Sequence, residues 1–113
     1  MILRKSIVLV GMMGSGKTAV GNALSKILAI EHVDSDEEIV KAANRSIAEI
    51  FERDGETFFR KRESEILNRI LDGKPKIISI GGGAFSSPLN RKLISHKGIS
   101  VWLNADLNLL WSR

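Results

Sequence analysis

The chain has 113 residues, of which 43% are hydrophobic and 27% charged, a balance typical of one small globular domain. It contains no cysteine, which excludes disulfides and thiolate metal sites, and no apolar run near the roughly 20 residues of a membrane span. Seventeen basic residues give a net charge of +4 but are spread along the chain, which favours small anionic ligands over nucleic acid. We therefore expect a cytoplasmic protein without membrane or nucleic-acid partners. We also expect a monomer, although the composition does not determine the oligomeric state.

A phosphate-binding motif follows the first predicted strand. Residues 5–10 are nearly all apolar, which is typical of a strand buried on both faces of a parallel sheet. The next eight residues match G-x-x-x-x-G-K-[ST] and lead into a helix predicted over residues 17–28. The backbone N–H groups of such a loop bind phosphates, the lysine adds a positive charge and the threonine offers a hydroxyl to Mg²⁺. An ordinary glycine-rich turn is the less favoured alternative. The predicted nucleotide-binding residues are Gly11, Met12, Met13, Gly14, Ser15, Gly16, Lys17 and Thr18.

The helix after this motif has apolar residues at helical spacing, which predicts that one of its faces packs on the sheet. Acidic residues then follow a second predicted strand over residues 32–34. Ligands of open α/β sheets bind beyond the carboxyl ends of strands, so Asp34 and Asp36 lie where a substrate is expected. The alternative is that Ser35 or Asp36 only caps a helix starting near Glu37, and the spacing leaves both open. The residues of the first helix predicted to face the sheet are Val20, Leu24, Ile27 and Leu28.

Two further helices are predicted before the next strand. The first begins with a capping box at residues 46–49 and ends at the Asp54-Gly55 pair, and the second spans residues 57–71. Arg60 lies one helical turn before Glu63, so from the residues alone it is more simply half of a surface ion pair than a functional group. The phenylalanines at 51, 58 and 59 are more often core residues than ligand contacts.

Three consecutive glycines, residues 81–83, follow a buried-type strand predicted over residues 76–80. They form neither a stable strand nor a stable helix, so we favour a second ligand-facing loop over a flexible turn. A helix from Pro88 to near His96, a strand over 98–103 and a helix from residue 106 complete the pattern. The alternation of strands and helices predicts a three-layer α/β/α fold with a mostly parallel sheet. Neither His32 nor His96 has partners at metal-ligand spacing.

Taken together, these motifs resemble the shikimate kinase family over essentially the whole chain. The phosphate-binding loop, Asp34-Ser35-Asp36, the segments at 46–51 and 55–60 and the triple glycine match that family in type and spacing. The resemblance implies a P-loop NTPase-type kinase that transfers the γ-phosphoryl group of ATP to the 3-hydroxyl of shikimate, in aromatic amino-acid biosynthesis. It also implies a sheet order of 2-3-1-4-5, of which this chain would contain 2-3-1-4.

The same resemblance implies a role for each site residue. Thr18 and Asp34 would hold Mg²⁺. Lys17 and Asp36 would act in catalysis, with Asp36 also binding ring hydroxyls of shikimate as the base toward the attacking one. Arg60 would bind the shikimate carboxylate, for which a bidentate guanidinium is well suited. Arg113 would correspond to an arginine that packs on adenine. The other implied substrate-binding residues are Gly81, Gly82, Gly83, Phe51 and Phe59.

The family pattern also includes parts that this sequence does not contain: a mobile lid with an arginine, a further substrate-binding arginine, a fifth strand and a C-terminal helix. We therefore expect residues 1–113 to form a single incomplete domain that binds nucleotide weakly and turns over slowly by itself. Turnover near that of a full-length enzyme in a coupled ADP-release assay would contradict this expectation. The alternatives are a gluconate-type kinase on the same scaffold, or a non-catalytic relative that retains the nucleotide pocket.

Overall fold

A computed structural model describes residues 4–11, 16–81 and 83–103, which form a four-stranded parallel sheet with helices on both faces. Counted along the chain, the strands lie across the sheet in the order second, third, first and fourth, as the family resemblance implied. The helix predicted from residue 106 lies outside the described residues. Across the described ranges, every helix is too short or too polar to span a lipid bilayer. The elements are β1 (Ser6–Gly11), α1 (Lys17–Leu28), β2 (His32–Asp34), α2 (Ser35–Ala43), α3 (Ile47–Leu71), β3 (Ile77–Ser79), a 3₁₀ helix (Ala84–Ser86), α4 (Pro88–Lys97) and β4 (Gly98–Leu103).

The two faces of the central strands pack against different helices. Val8 of β1 and Ile78 of β3 belong to one core cluster with residues of α2, α3 and α4. Alternate residues of a strand point to opposite faces, so Leu9 and Ile77 lie on the other side, where α1 packs on β1 and β3. All four of these side chains have no exposed surface. Burial on both faces of β1 and β3 therefore confirms what their continuous apolar runs predicted.

The buried face of α1 differs from the prediction in one residue. Ile27 is 77% exposed, so its predicted contact with the sheet is wrong. The buried residue of the helix is Gly21, which lies six residues, or about 120° of helix rotation, from Ile27. The His32 ring fills the space beside Gly21, with Nδ1 2.8 Å from Asn22 Oδ1 and Nε2 2.8 Å from Ser79 Oγ. An imidazole between helix and sheet thus sets which face of α1 is turned inward.

Replacing Gly21 by alanine is expected to destabilise the fold, although alanine is the better helix former. A Cβ at this position would lie 2.4 Å from His32 Nε2, and hydrogen bonds at both ring nitrogens hold the imidazole in place. We expect Gly21→Ala to lower the free energy of unfolding by about 1–3 kcal/mol in urea denaturation. In a His32→Ala background the same change should be neutral or stabilising. An equal loss in both backgrounds would show that the ring is not the obstacle.

Local capping interactions set the start of α2 and the shape of α3. Asp34 is the N-cap of α2, because its Oδ1 accepts hydrogen bonds from the N–H groups of Asp36 at 2.9 Å and Glu37 at 3.2 Å. The alternative interpretation, in which Ser35 or Asp36 caps this helix, is therefore wrong by one or two residues. The helix also begins two residues before the predicted start near Glu37. The predicted capping box at residues 46–49 is present. Gly55, with φ 86° and ψ 170°, breaks α3 into two helical pieces where the sequence predicted a boundary.

Candidate active site

The carboxyl ends of β1, β2 and β3 meet at one edge of the sheet, and the predicted site residues are located there. Gly16 caps the N-terminus of α1 with φ 86°, a left-handed conformation that favours glycine. The ammonium group of Lys17 donates to the carbonyl oxygens of Gly11 and Ile80 at 3.0 Å each. Lys17 thus bridges the end of β1 and the residue that follows β3. Thr18 lies beside it in the first turn of α1 and is exposed.

Thr18 and Asp34 offer the oxygen donors that a magnesium ion prefers. Asp34 Oδ1 is engaged in capping α2, while Oδ2 accepts no hydrogen bond from the described residues. Within residues 4–11, 16–81 and 83–103 no group of three or more His, Asp or Glu side chains could hold a metal by itself. One hydroxyl and one carboxylate fit Mg²⁺ when water and substrate phosphates complete its coordination, which is its usual form of binding.

Asp36 lies directly against the backbone of Gly81. A Cβ on Gly81 would be 2.9 Å from both carboxylate oxygens of Asp36, so a glycine is required for this approach. Burial raises the pKa of Asp36 above its usual 3.8, and the Asp34 carboxylate adds to the rise, whereas Lys17 and Arg60 partly oppose it. A carboxylate with a raised pKa is a stronger proton acceptor than an ordinary aspartate. It can therefore act as a base toward a substrate hydroxyl at this edge.

The guanidinium group of Arg60 lies against Gly83, the last of the three consecutive glycines, whose added Cβ would be 2.6 Å from Nη2. Arg60 Nη1 donates to the two carboxylate oxygens of Glu63 at 3.0 and 3.2 Å. The Glu63 side chain is 2% exposed and that of Arg60 is 39% exposed. The ion pair that the sequence suggested is therefore present, but it is anchored in the protein interior and not on the surface. The exposed part of the Arg60 guanidinium group can bind an anion.

Glu63 is a site residue that the sequence analysis missed. Burial raises its pKa, the hydrogen bond from Arg60 opposes the rise, and the negative charge of Asp36 adds to it. The signal that could have found it is its position, because Glu63 follows the buried Phe59 by four residues and precedes Ile66 by three. A carboxylate within an apolar stripe needs a partner, and Arg60 supplies one.

The two phenylalanines predicted to wall the substrate are brought together. The rings of Phe51 and Phe59 stack with centroids 4.7 Å apart, and the Arg60 guanidinium carbon lies 5.3 Å from the Phe59 centroid. Phe59 is 3% exposed and Phe51 packs against the core, so both are core residues as well. The Phe59 ring of this pair thus lies beside the same guanidinium group that approaches Gly83. The predicted site residues that lie outside the described ranges are Met12, Met13, Gly14, Ser15, Gly82 and Arg113.

A parallel sheet whose first strand leads to a glycine-capped helix, with the helix's lysine at the strand ends, defines an α/β domain of the P-loop NTPase type. The same edge of the sheet also carries one acidic and one basic side chain, Asp36 and Arg60, beside Gly81 and Gly83. A family model described as shikimate kinase matches residues 13–113. The chain belongs to the shikimate kinase family.

Individual relatives agree with this assignment. A shikimate kinase of Cereibacter sphaeroides is 60% identical over 111 residues, which are 98% of this chain and 56% of that protein. A solved shikimate kinase from Acinetobacter baumannii in complex with shikimate matches with a TM-score of 0.86 and 40% identity, over 96% of this chain and 61% of the other. A gluconokinase from Sinorhizobium meliloti matches with a TM-score of 0.58 at 20% identity, which shows a shared fold alone. The chain spans about half the length of the curated relatives it matches.

Proposed function

We propose that the protein transfers the γ-phosphoryl group of ATP to the 3-hydroxyl of shikimate, giving 3-phosphoshikimate and ADP. The observation that carries the proposal is the placement of Asp36 and Arg60 against neighbouring glycines at the edge that also holds Lys17. Arg60 is suited to bind a ligand's carboxylate, and Asp36 is suited to bind its hydroxyl groups. Both lie at the same edge as Lys17, which is suited to bind phosphates. This combination fits a hydroxylated organic acid as the phosphoryl acceptor.

The nucleotide half of the proposed site consists of residues 11–18. Their backbone N–H groups would hold the ATP phosphates at the N-terminus of α1, where the helix dipole adds positive potential. The Lys17 ammonium would exchange its two carbonyl partners for phosphate oxygens. Thr18 and Asp34 would hold Mg²⁺, which supplies charge neutralisation at the phosphates. Arg113 would pack on the adenine ring, as the family resemblance implies.

The acceptor half of the site would position the shikimate ring. Arg60, held in place by Glu63, would bind the carboxylate through the part of its guanidinium that remains exposed. Phe51 and Phe59 would wall the ring. Asp36 would accept a hydrogen bond from the 3-hydroxyl and take its proton as the new oxygen–phosphorus bond forms and the γ-phosphorus separates from ADP. Residues 81–83 would add backbone N–H donors.

Most of the rate gain in such a site comes from alignment and charge placement, because the protein forms no covalent bond to the phosphoryl group. The raised pKa of Asp36 matters at this step, since a carboxylate that binds protons more tightly gains more by accepting one from the hydroxyl. The positive charges of Lys17 and Arg60 partly oppose this rise in pKa and favour the ionised form. Lys17 would thus act on the ATP phosphates and Arg60 on the shikimate carboxylate, while both influence the pKa of Asp36.

We also propose, from the family assignment, that the protein is a cytoplasmic monomer that uses ATP and Mg²⁺ and has no nucleic-acid or membrane partner. Its basic residues are distributed along the sequence and do not form one continuous block, which supports a small anionic substrate over a nucleic acid.

The identity of the molecule that accepts the phosphoryl group tests the proposed function most directly. With ATP and Mg²⁺, the chain should convert shikimate, and not gluconate, into a phosphate ester with an equal amount of ADP, both measured by mass spectrometry after long incubation. Arg60→Ala should lower ester formation at least about tenfold, because a charge-assisted pair to the carboxylate is lost. Arg69→Ala, an exposed arginine of the same helix, is the matched control and should have no effect. Phosphorylation of gluconate at the faster rate would contradict the proposal.

A further inference from the structure

A cavity of about 390 Å³ lies between α2 and α3, and none of the proposed active-site residues lines it. Its apolar wall is formed by Ile39, Ile50 and Ile66, whose side chains are 2%, 2% and 7% exposed. Because these residues are already part of the core cluster, the wall is rigid and exists without a ligand. The volume lies within the range of roughly 300–1,000 Å³ that is usual for small-molecule sites.

The rim of this cavity is charged, and its charges do not balance. Three arginines line it, Arg45, Arg53 and Arg62, together with two acids, Asp54 and Glu65. If all five are ionised, one positive charge is left over. An apolar wall beside a small positive excess complements a molecule with an apolar body and one negative charge.

The arginines of the rim are not equivalent. Arg62 lies over the ring of Phe58, with 5.3 Å between its guanidinium carbon and the ring centroid, and it is 3.8 Å from Glu65. Arg45 and Arg53 form no salt bridge with any residue that the structure describes. Glu49 and Glu52 line an adjoining pocket together with Arg45 and Arg53, but neither lies within ion-pair distance of these arginines. Arg45 and Arg53 are therefore the cations available to an anion, while the Phe58 ring beneath Arg62 offers a surface suited to a planar group.

We infer that this cavity is a second ligand site, which takes a small monocarboxylate with a planar apolar body. The carboxylate is bound by Arg45 and Arg53, and the apolar body lies against the isoleucine wall and the Phe58 ring. The site receives residues from both helical pieces of α3, with Arg53 before the break at Gly55 and Phe58 after it. An occupant therefore contacts both pieces, and it does so away from Asp36 and Arg60.

The inference is tested by titrating the chain with 3-phenylpropionate and following its amide signals by NMR. Ala42 and Ala43 line the cavity, so their signals should shift with a dissociation constant of roughly millimolar size, as is usual for so small a ligand. Arg53→Gln should weaken binding about three- to fivefold, the size expected for an exposed ion pair, and Glu65→Gln should strengthen it. Ala42→Leu should prevent binding, because leucine keeps the helix and fills the cavity.

Three controls separate this site from general attraction to a basic protein. Arg69→Gln removes an exposed arginine of α3 that does not line the cavity, and it should leave the affinity unchanged. The uncharged 3-phenylpropan-1-ol should bind at least threefold more weakly than the acid. Saturating shikimate should not displace the probe. Equal binding of acid and alcohol, equal losses in the Arg53 and Arg69 variants, displacement by shikimate or no shifts at Ala42 and Ala43 would each overturn the inference. Since no turnover is measured, failure of the proposed kinase function leaves this result intact.

Discussion

Asp36→Asn is expected to remove phosphorylation of shikimate while making the folded chain more stable at neutral pH. Asparagine has nearly the same shape as aspartate and fits against Gly81, but it cannot accept a proton from a hydroxyl. Loss of a general base lowers turnover by about 10²- to 10⁴-fold. The gain in stability arises because the variant no longer holds an ionised carboxylate half-buried beside the negative charge of Asp34.

The pH dependence of this effect has a definite sign. The folded chain binds a proton at Asp36 more tightly than the unfolded chain does, because the pKa of Asp36 is raised above 3.8. The stability that this side chain contributes is therefore complete below pH 3.8 and is lost as the pH rises through the raised pKa. The gain in melting temperature of Asp36→Asn should be present at pH 7 and should vanish near pH 3.

The control for this prediction is Glu37→Gln, the same acid-to-amide change at the next position of α2. Glu37 is exposed, so its variant should keep full activity and lose a little stability, since a negative charge at a helix N-terminus is favourable. A coupled ADP-release assay measures the loss of turnover, and thermal unfolding at pH 7 and near pH 3 measures the change in stability. If Asp36→Asn unfolds at a lower temperature at pH 7, or retains turnover, Asp36 is not the base with a raised pKa that we propose.

The four strands and the parallel sheet could be predicted from the residues, because the strands are short apolar runs separated by helices with clear starts and stops. The break at Gly55 is present as predicted, and the order β2-β3-β1-β4 is the one that the family resemblance implied. The errors occurred where a side chain overrides local preference. Asp34 caps α2 in place of Ser35 or Asp36, since its Oδ1 reaches two N–H groups of the first turn. Ile27 faces solvent, because His32 makes Gly21 the buried position of α1.

The candidate site was only partly predictable from the residues themselves. The glycine–lysine motif is continuous in the sequence, so Lys17 could be found directly. Arg60 could not be told apart from a surface arginine, because the two facts that distinguish it are the burial of Glu63 and the approach of Gly83. Gly83 is more than 20 residues from Arg60 in the sequence, and only the folded chain brings them together. The family resemblance supplied what the local pattern could not.

The contact between Gly83 and Arg60 leads to the second large effect. Gly83→Ala is expected to weaken shikimate binding about tenfold or more without unfolding the chain. Gly83 has φ −87°, which alanine adopts without strain, but its Cβ would lie 2.6 Å from the Arg60 guanidinium. The guanidinium is the end of a flexible side chain, so it will move and lose its alignment with the carboxylate of the ligand. Charge-assisted bidentate pairs depend strongly on that alignment.

A double-mutant cycle tests whether the loss is transmitted through Arg60. Calorimetric titration should give similar losses of shikimate affinity for Gly83→Ala and Arg60→Ala, and no further loss when the two are combined. ATP affinity should stay the same in all three variants, because Lys17 lies on a different element and keeps its partners. If the two losses multiply in the double variant, alanine at position 83 acts on the ligand or the loop directly and not through Arg60. If neither variant weakens binding, Arg60 is not the group that holds the carboxylate, and the proposed substrate loses its main physical support.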